Sequence, residues 1–324
     1  YDKDDHYNHE KYARKWVRKR IGIYTGPAWE PWNKITVEKG MAGSETWAVY
    51  LAQEFAKLGY EVTIYGHLDH PKAELVLDGV IYKDHRGMIE DLKYVYVDLF
   101  ISSRTVDPVK LPIHALKVYV MTHDIWLHPD PNHDMETWRV DRYYYLSTWH
   151  KEFLKQHHKS IPEDKLYRTS NGIPMMNYED VDTYTKKNQA VYSSSPDRGL
   201  LQLLEIMPEI RKAIPDFEII ICYGFHNWES AAKLRNNHVE LKLIERIKSL
   251  MEQPGVIYKG RVSKVELAGY QKESKVWLYP TWFTETQCIT GLEARVSKCA
   301  IVTTALGGLI DTVGDAGILL PPDG

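Results

Sequence analysis

From Arg20 onward the chain alternates short apolar runs with amphipathic helical stretches, and it does so in two rounds. Arg20-Ile21-Gly22-Ile23-Tyr24-Thr25 reads as a strand, and a long loop follows from Gly26 to Ala42. A helix is predicted from about Trp47 to Leu58, with Val49, Leu51, Ala52, Phe55 and Ala56 apolar and Gly59 as its stop. Glu61-Val62-Thr63-Ile64-Tyr65-Gly66 is the next strand, which completes a βαβ unit. Further strands are predicted at 79–82, 98–102, 117–121 and 143–147, with a helix over 148–157. The pattern then breaks, and the polar stretch from Asn177 to Asn188 reads as an interdomain linker. A second round follows, with strands at 190–192, 217–222, 256–258, 276–279 and 300–303 and helices over 199–213, 229–251 and 264–273. Such alternation predicts an α/β chain with two parallel sheets, in domains of residues 1–186 and 187–324.

Length agrees, because 324 residues exceed what one ordinary core organises. The chain ends soon after a strand at Gly317-Ile318-Leu319-Leu320, so the second domain is expected to be incomplete. Charged residues make up 26% and the net charge is −3, which argues against a dedicated nucleic-acid binder. Three cysteines (Cys222, Cys288, Cys299) show no paired metal spacing and suit a reducing, cytoplasmic setting. No apolar run approaches the ~20 residues of a membrane span, and the N-terminus has no signal-peptide pattern. A basic patch at Lys11, Arg14, Lys15, Arg18, Lys19 and Arg20 fits a solvated helix; peripheral contact with a membrane surface is the alternative. The 10 Trp and 22 Tyr permit, without proving, stacking on sugars.

Two glutamates carry most of the functional signal. Glu285 falls in the loop after the strand Val276-Trp277-Leu278-Tyr279, where open α/β sheets bind ligands. Glu293 lies on the helix that follows, at helical spacing from Ile289 and Val296, and so points toward an apolar face. A carboxylate is rarely placed there unless paired or bound to something.

Gly43-Ser44-Glu45, His123-Asp124, Ser170-Asn171-Gly172-Ile173, Pro196-Asp197-Arg198-Gly199, Gly260-Arg261-Val262-Ser263, the spaced glutamates, Gly307-Gly308 and Val313-Gly314-Asp315-Ala316-Gly317 occur in one order. Together they resemble the retaining glycosyltransferase family four, over nearly the whole chain from Arg20. The resemblance implies the GT-B fold, two Rossmann-like domains facing across a cleft, with the acceptor on the N-terminal side and a nucleotide sugar on the C-terminal side. It implies transfer of a sugar from a nucleotide-diphosphate sugar, with UDP or GDP as the nucleotide, to a glycan or other hydroxyl acceptor, with no cofactor and no metal.

The same resemblance implies roles. Glu285 meets hydroxyls of the donor sugar, and Glu293 accepts from the ribose hydroxyls. Gln287, Cys288 and Ile289 open a helix whose N–H groups face the diphosphate. Arg198 carries the positive charge against that diphosphate, Arg261 lies near the base, and His123 approaches the donor sugar. Gly43 lets the main chain come close to phosphate or acceptor. Trp29, Trp126 and Trp138 are candidate acceptor platforms, with core packing as the alternative for Trp126 and Trp138. Two departures stand out: Thr286, Gln287 and Cys288 replace the family's frequent glycine and phenylalanine, and Ser193 stands where a second basic residue is common.

His128, His133 and Asp134 invite a metal reading, but no HExxH pattern or cysteine partner accompanies them. Asp180-Val181-Asp182 reads as solvated linker. The first βα turn lacks G-x-G-x-x-G spacing, which argues against a dehydrogenase. Three readings therefore stand: a glycosyltransferase, a sugar-nucleotide epimerase or phosphorylase of the same fold, and a non-catalytic sugar-nucleotide or glycan-binding module.

Overall fold

A computed structural model describes residues 19–41, 43–127 and 138–322. The chain forms two compact units: one comprises the segment through Val37 together with Met41–Gly172, the other Glu38–Gly40 and Ile173–Gly324.

The first unit is built on an eight-stranded sheet. In chain order its elements are β1 (Arg20–Tyr24), α1 (Lys34–Glu38), α2 (Gly43–Lys57), β2 (Glu61–Gly66), β3 (Glu74–Leu77), β4 (Val80–Asp84), α3 (Met88–Leu92), β5 (Val97–Ser103), β6 (Ala115–Met121), β7 (Arg142–Tyr145), α4 (Thr148–His157) and β8 (Leu166–Arg168). The strand order is β3-β4-β2-β1-β5-β6-β7-β8, and only the β3–β4 pair is antiparallel. Central strands of such a sheet are covered on both faces, which is why they read as apolar runs. Ile23, Ile64, Phe100 and Val120 are all fully buried. At their carboxyl ends the chemistry changes: Ser102, Ser103 and Thr122 are fully buried polar residues.

The second unit holds a six-stranded, all-parallel sheet ordered β11-β10-β9-β12-β13-β14. Its elements are β9 (Lys187–Tyr192), α5 (Leu200–Ala213), β10 (Glu218–Ile221), α6 (His226–Leu234), α7 (His238–Leu250), β11 (Val256–Tyr258), α8 (Lys264–Glu273), β12 (Ser274–Tyr279), α9 (Ile289–Val296), β13 (Ala300–Thr304), α10 (Leu309–Val313) and β14 (Gly317–Leu320). Trp277, Tyr192 and Tyr279 fill its core with aromatic volume.

Three expectations need correction. The predicted helix over 229–251 is two helices, because Asn236 takes a left-handed conformation (φ 51) and the Asn237 side chain caps α7 by accepting from the Glu240 amide. The boundary between compact units falls at Gly172/Ile173, ahead of the predicted 186/187. Residues 173–186 are tied to the second unit: Tyr178 Oη donates to Gln271 Oε1 at 3.0 Å, and Lys186 Nζ donates to the carbonyls of Ser274 (2.8 Å) and Ser297 (2.6 Å). Asp180 and Asp182 are accordingly not free linker acids, since they pair with Lys272 and Lys298.

Of the basic patch, residues up to Arg18 lie outside the described residues, and Arg20 belongs to β1, where it pairs with Glu61 at 3.0 Å. No helix among the described residues is long and apolar enough to cross a membrane.

Candidate active site

In the second unit, two loops leave the carboxyl ends of the adjacent strands β9 and β12. The first, Ser193–Arg198, is closed by Gly199, whose backbone is left-handed (φ 103) and lies against the Pro280 carbonyl, so that a Cβ there would overlap it. This contact brings Arg198 to the second loop. Arg198 Nη1 donates to Glu285 Oε1 at 3.4 Å, and the guanidinium lies over the Phe283 ring at 3.6 Å from its centroid. Tyr279 Oη donates to the same Glu285 oxygen at 2.9 Å, and Ser194 Oγ donates to Tyr279 Oη at 3.2 Å.

A third loop braces Glu285 from behind. Gly308 N donates to the Glu285 carbonyl at 2.6 Å, and Gly307 (φ 58) approaches so closely that a Cβ would sit 2.6 Å from that carbonyl oxygen. The Gly307-Gly308 pair is thus explained as a holder of Glu285.

The electrostatics follow from enclosure. Burial pushes the Glu285 carboxyl above its ordinary value, and Arg198 and Tyr279 pull it back. Burial works against the Arg198 charge as well, but Glu285 and the surrounding phenols more than offset it, so the guanidinium stays charged. Burial, reinforced by Glu285, keeps the Tyr279 phenol protonated and therefore a donor. Arg198 Nε and Ser193 Oγ are buried with no partner among the described residues, an arrangement that leaves donors for a ligand.

Cys288 caps the start of α9 without a side-chain cap. Its thiol is pushed up to about 12 by burial, then by Glu285, so it is a neutral thiol. Its amide already donates to Thr312 Oγ1 at 3.4 Å, which qualifies the expectation that this N–H faces a phosphate freely. Gln287 and Ile289 are half-buried beside it, and Arg261 is exposed after β11. Glu293, in the middle of α9, is fully buried, as its spacing predicts. Lys264 Nζ reaches its Oε1 at 3.3 Å, while Oε2 is buried with no partner among the described residues.

The first unit gathers a separate cluster at the ends of β5 and β6. His123 is half-buried: Ser103 Oγ lies 2.9 Å from its Nδ1, the Trp47 ring meets it edge-on at 4.6 Å, and the Asn171 side chain is a hydrogen-bond partner. Burial, then Arg104 and His150, hold its pKa at about 3, so the ring is neutral at ordinary pH. Arg104 adopts a left-handed backbone (φ 72) and joins Asp124 (2.8 Å) to Glu45 (3.7 Å), a buried acid in the first turn of α2. Gly43 is the exposed first residue of that helix.

Trp29, Trp126 and Trp138 are all exposed, which removes the core alternative for the last two. Trp126 meets Phe153 and His157 edge-on, and Arg139 lies over Trp138. His128, His133 and Asp134 lie outside the described residues.

Four side chains central to this geometry were not singled out from sequence: Tyr279, Phe283, Lys264 and Arg104. Lys264 alone had a signal, because it directly follows the Arg261-Val262-Ser263 stretch.

Residues 190–324 match the family model described as "Glycosyl transferases group 1". The chain shares the GT-B fold of solved glycosyltransferases. Among solved structures it is similar to a glycosyltransferase from Rickettsia africae ESF-5, with 14% identity, a TM-score of 0.68, and coverage of 95% of this chain and 86% of that one. It is similar to sucrose-phosphate synthase from Thermosynechococcus elongatus, with 13% identity, a TM-score of 0.68, and coverage of 95% and 87%. It is also similar to Anabaena HepE in complex with UDP-glucose, with 12% identity, a TM-score of 0.61, and coverage of 94% and 85%. No curated protein matches the sequence.

Proposed function

We propose that this protein is a retaining, metal-independent glycosyltransferase that moves a sugar from a nucleotide-diphosphate sugar to a carbohydrate or other hydroxyl acceptor. The second unit takes the donor and the first unit the acceptor. The observation that carries the reading is the match of residues 190–324 to group 1 glycosyl transferases, because Arg198, Glu285 and Glu293 all fall inside it. Anabaena HepE holds UDP-glucose, so a UDP-sugar is the first donor to try.

In this reading Arg198 faces the diphosphate, where negative charge grows as the sugar leaves. Its bond to Glu285 is long at 3.4 Å, and its Nε is unused, so a phosphate can take up donors that Glu285 holds only weakly. Glu285, still gripped by Tyr279, then accepts from sugar hydroxyls. The bond from the anomeric carbon to the phosphate oxygen breaks, and a bond to the acceptor oxygen forms on the same face. The acceptor's proton passes to the departing phosphate. In the first unit, His123 is neutral at ordinary pH and so is a hydrogen-bonding group, not a charged acid.

Ser193 favours a second reading, a nucleotide-sugar-binding module without turnover, because the site has one basic side chain fewer than the family commonly supplies. A panel of UDP-, GDP- and ADP-sugars separates the two. We expect one nucleotide class to raise the melting temperature and its sugar to be turned over with a hydroxyl acceptor. Binding with no turnover of any donor supports the module, and no binding at all contradicts both.

A further inference from the structure

The Lys264–Glu293 pair is chemically odd on both sides. Lys264 is the first residue of α8, directly after the N-cap Ser263 and inside the Ser263–Glu266 capping box. A cation there sits at the positive end of the helix dipole, an unfavourable place unless something repays it. Its side chain is nonetheless drawn inward, only 11% exposed, onto a Glu293 side chain that is 1% exposed. Glu293 in turn has one oxygen engaged, at 3.3 Å, and a second buried with no partner among the described residues. A buried carboxylate oxygen without a donor is costly, by about 1–3 kcal/mol or more. Such a group is expected to meet a donor in some state of the molecule.

We infer that Lys264 is a positioning residue that pins one Glu293 oxygen and presents the other to a single ribose hydroxyl, so that it sets how the protein discriminates between ribose and deoxyribose nucleotides. This rests on the reading of the second unit as the nucleotide-sugar side. The physical reason is geometric. A carboxylate free to rotate would offer both oxygens to both ribose hydroxyls. With Oε1 held by Lys264, only Oε2 remains, and one hydroxyl is read more strictly than the other. The pair also keeps Glu293 in a fixed rotamer, so less ordering is needed on binding.

The test uses the whole chain, with UDP, 2′-deoxy-UDP and 3′-deoxy-UDP as probes, measured by calorimetry on the unaltered protein and on Lys264→Met, Lys264→Gln and Lys264→Arg. The unaltered protein is expected to bind UDP at least tenfold more tightly than one deoxy form and less than threefold more tightly than the other. In Lys264→Met and Lys264→Gln the larger ratio is expected to collapse toward the smaller, with donor KM raised about tenfold and kcat within twofold; Lys264→Arg is expected to restore the asymmetry. A merely structural Lys264 would lower the melting temperature and leave the deoxy ratios alone. Ratios unchanged in any folded Met or Gln variant overturn the inference while nucleotide binding itself upholds the functional reading. Absence of UDP, GDP and ADP binding by the unaltered chain overturns both.

Discussion

At the scale of single residues, the two glutamates are alike in sequence and opposite in environment. Glu285 is a loop carboxylate held by two donors, Arg198 and Tyr279, with a ring beneath the arginine. Glu293 is a helix carboxylate sealed against one lysine. Different surroundings argue for different duties. We expect Glu293→Ala to weaken the thermal response to nucleotide by tenfold or more in affinity, whereas Glu285→Ala leaves that response within about threefold and lowers kcat by about 10²–10³. Equal, negligible effects of both substitutions would contradict the site. The glutamates, Arg198 and His123 were legible because each sits in a local sequence pattern. Tyr279, Lys264 and Arg104 were not, because the contacts that give them meaning are spatial: Lys264 meets Glu293 across 29 positions, and Arg104 meets Ser44 across 60.

At the scale of elements, periodicity found most of the strands and helices and missed those that periodicity cannot reveal. β3 and β8 are short edge strands of four and three residues with mixed exposure, too brief to show alternation. The division of α6 from α7 turned on one left-handed asparagine inside a continuous amphipathic pattern. Where β6 ends and α4 begins, two histidines, His150 fully buried and His123 half-buried, create a pH dependence. Burial holds His123 at about 3 and His150 at about 4, against an ordinary 6.5, and the Leu146 amide donates to His150 Nδ1. Both folded values are depressed, so the unfolded chain takes up protons first as pH falls. The stability carried by the neutral rings is present in full above pH ~6.5 and is lost progressively toward pH 4 and then 3. Relative to pH 7.5, acidification to pH 5 is expected to remove about 2 kcal/mol for each ring. Urea unfolding at the two pH values checks this, and His123→Gln should flatten the dependence; an unchanged pH slope in that variant would remove His123 from the account.

At the scale of the whole molecule, aromatic content carried less functional meaning than its abundance suggested. Trp32, Trp277, Tyr82, Tyr143, Tyr192 and Tyr279 rank among the largest fully buried side chains, so much of the aromatic surplus builds cores. Of the exposed tryptophans, which also include Trp282, Trp29, Trp126 and Trp138 stay as acceptor-side candidates. Two α/β units were foreseeable from the alternation alone. Their boundary was not, because polar residues 177–186 look like linker until Lys186 and Tyr178 are seen anchored on the second unit. Donor chemistry belongs to that unit in this account, and its direct readout is stereochemical. Proton NMR of the unaltered protein turning over UDP-α-glucose and other α-linked nucleotide sugars with a hydroxyl acceptor tests it most directly. An α-linked product formed in step with free nucleoside diphosphate is expected. A β-linked product, or no transfer from any donor by a chain that binds nucleotide, would contradict it.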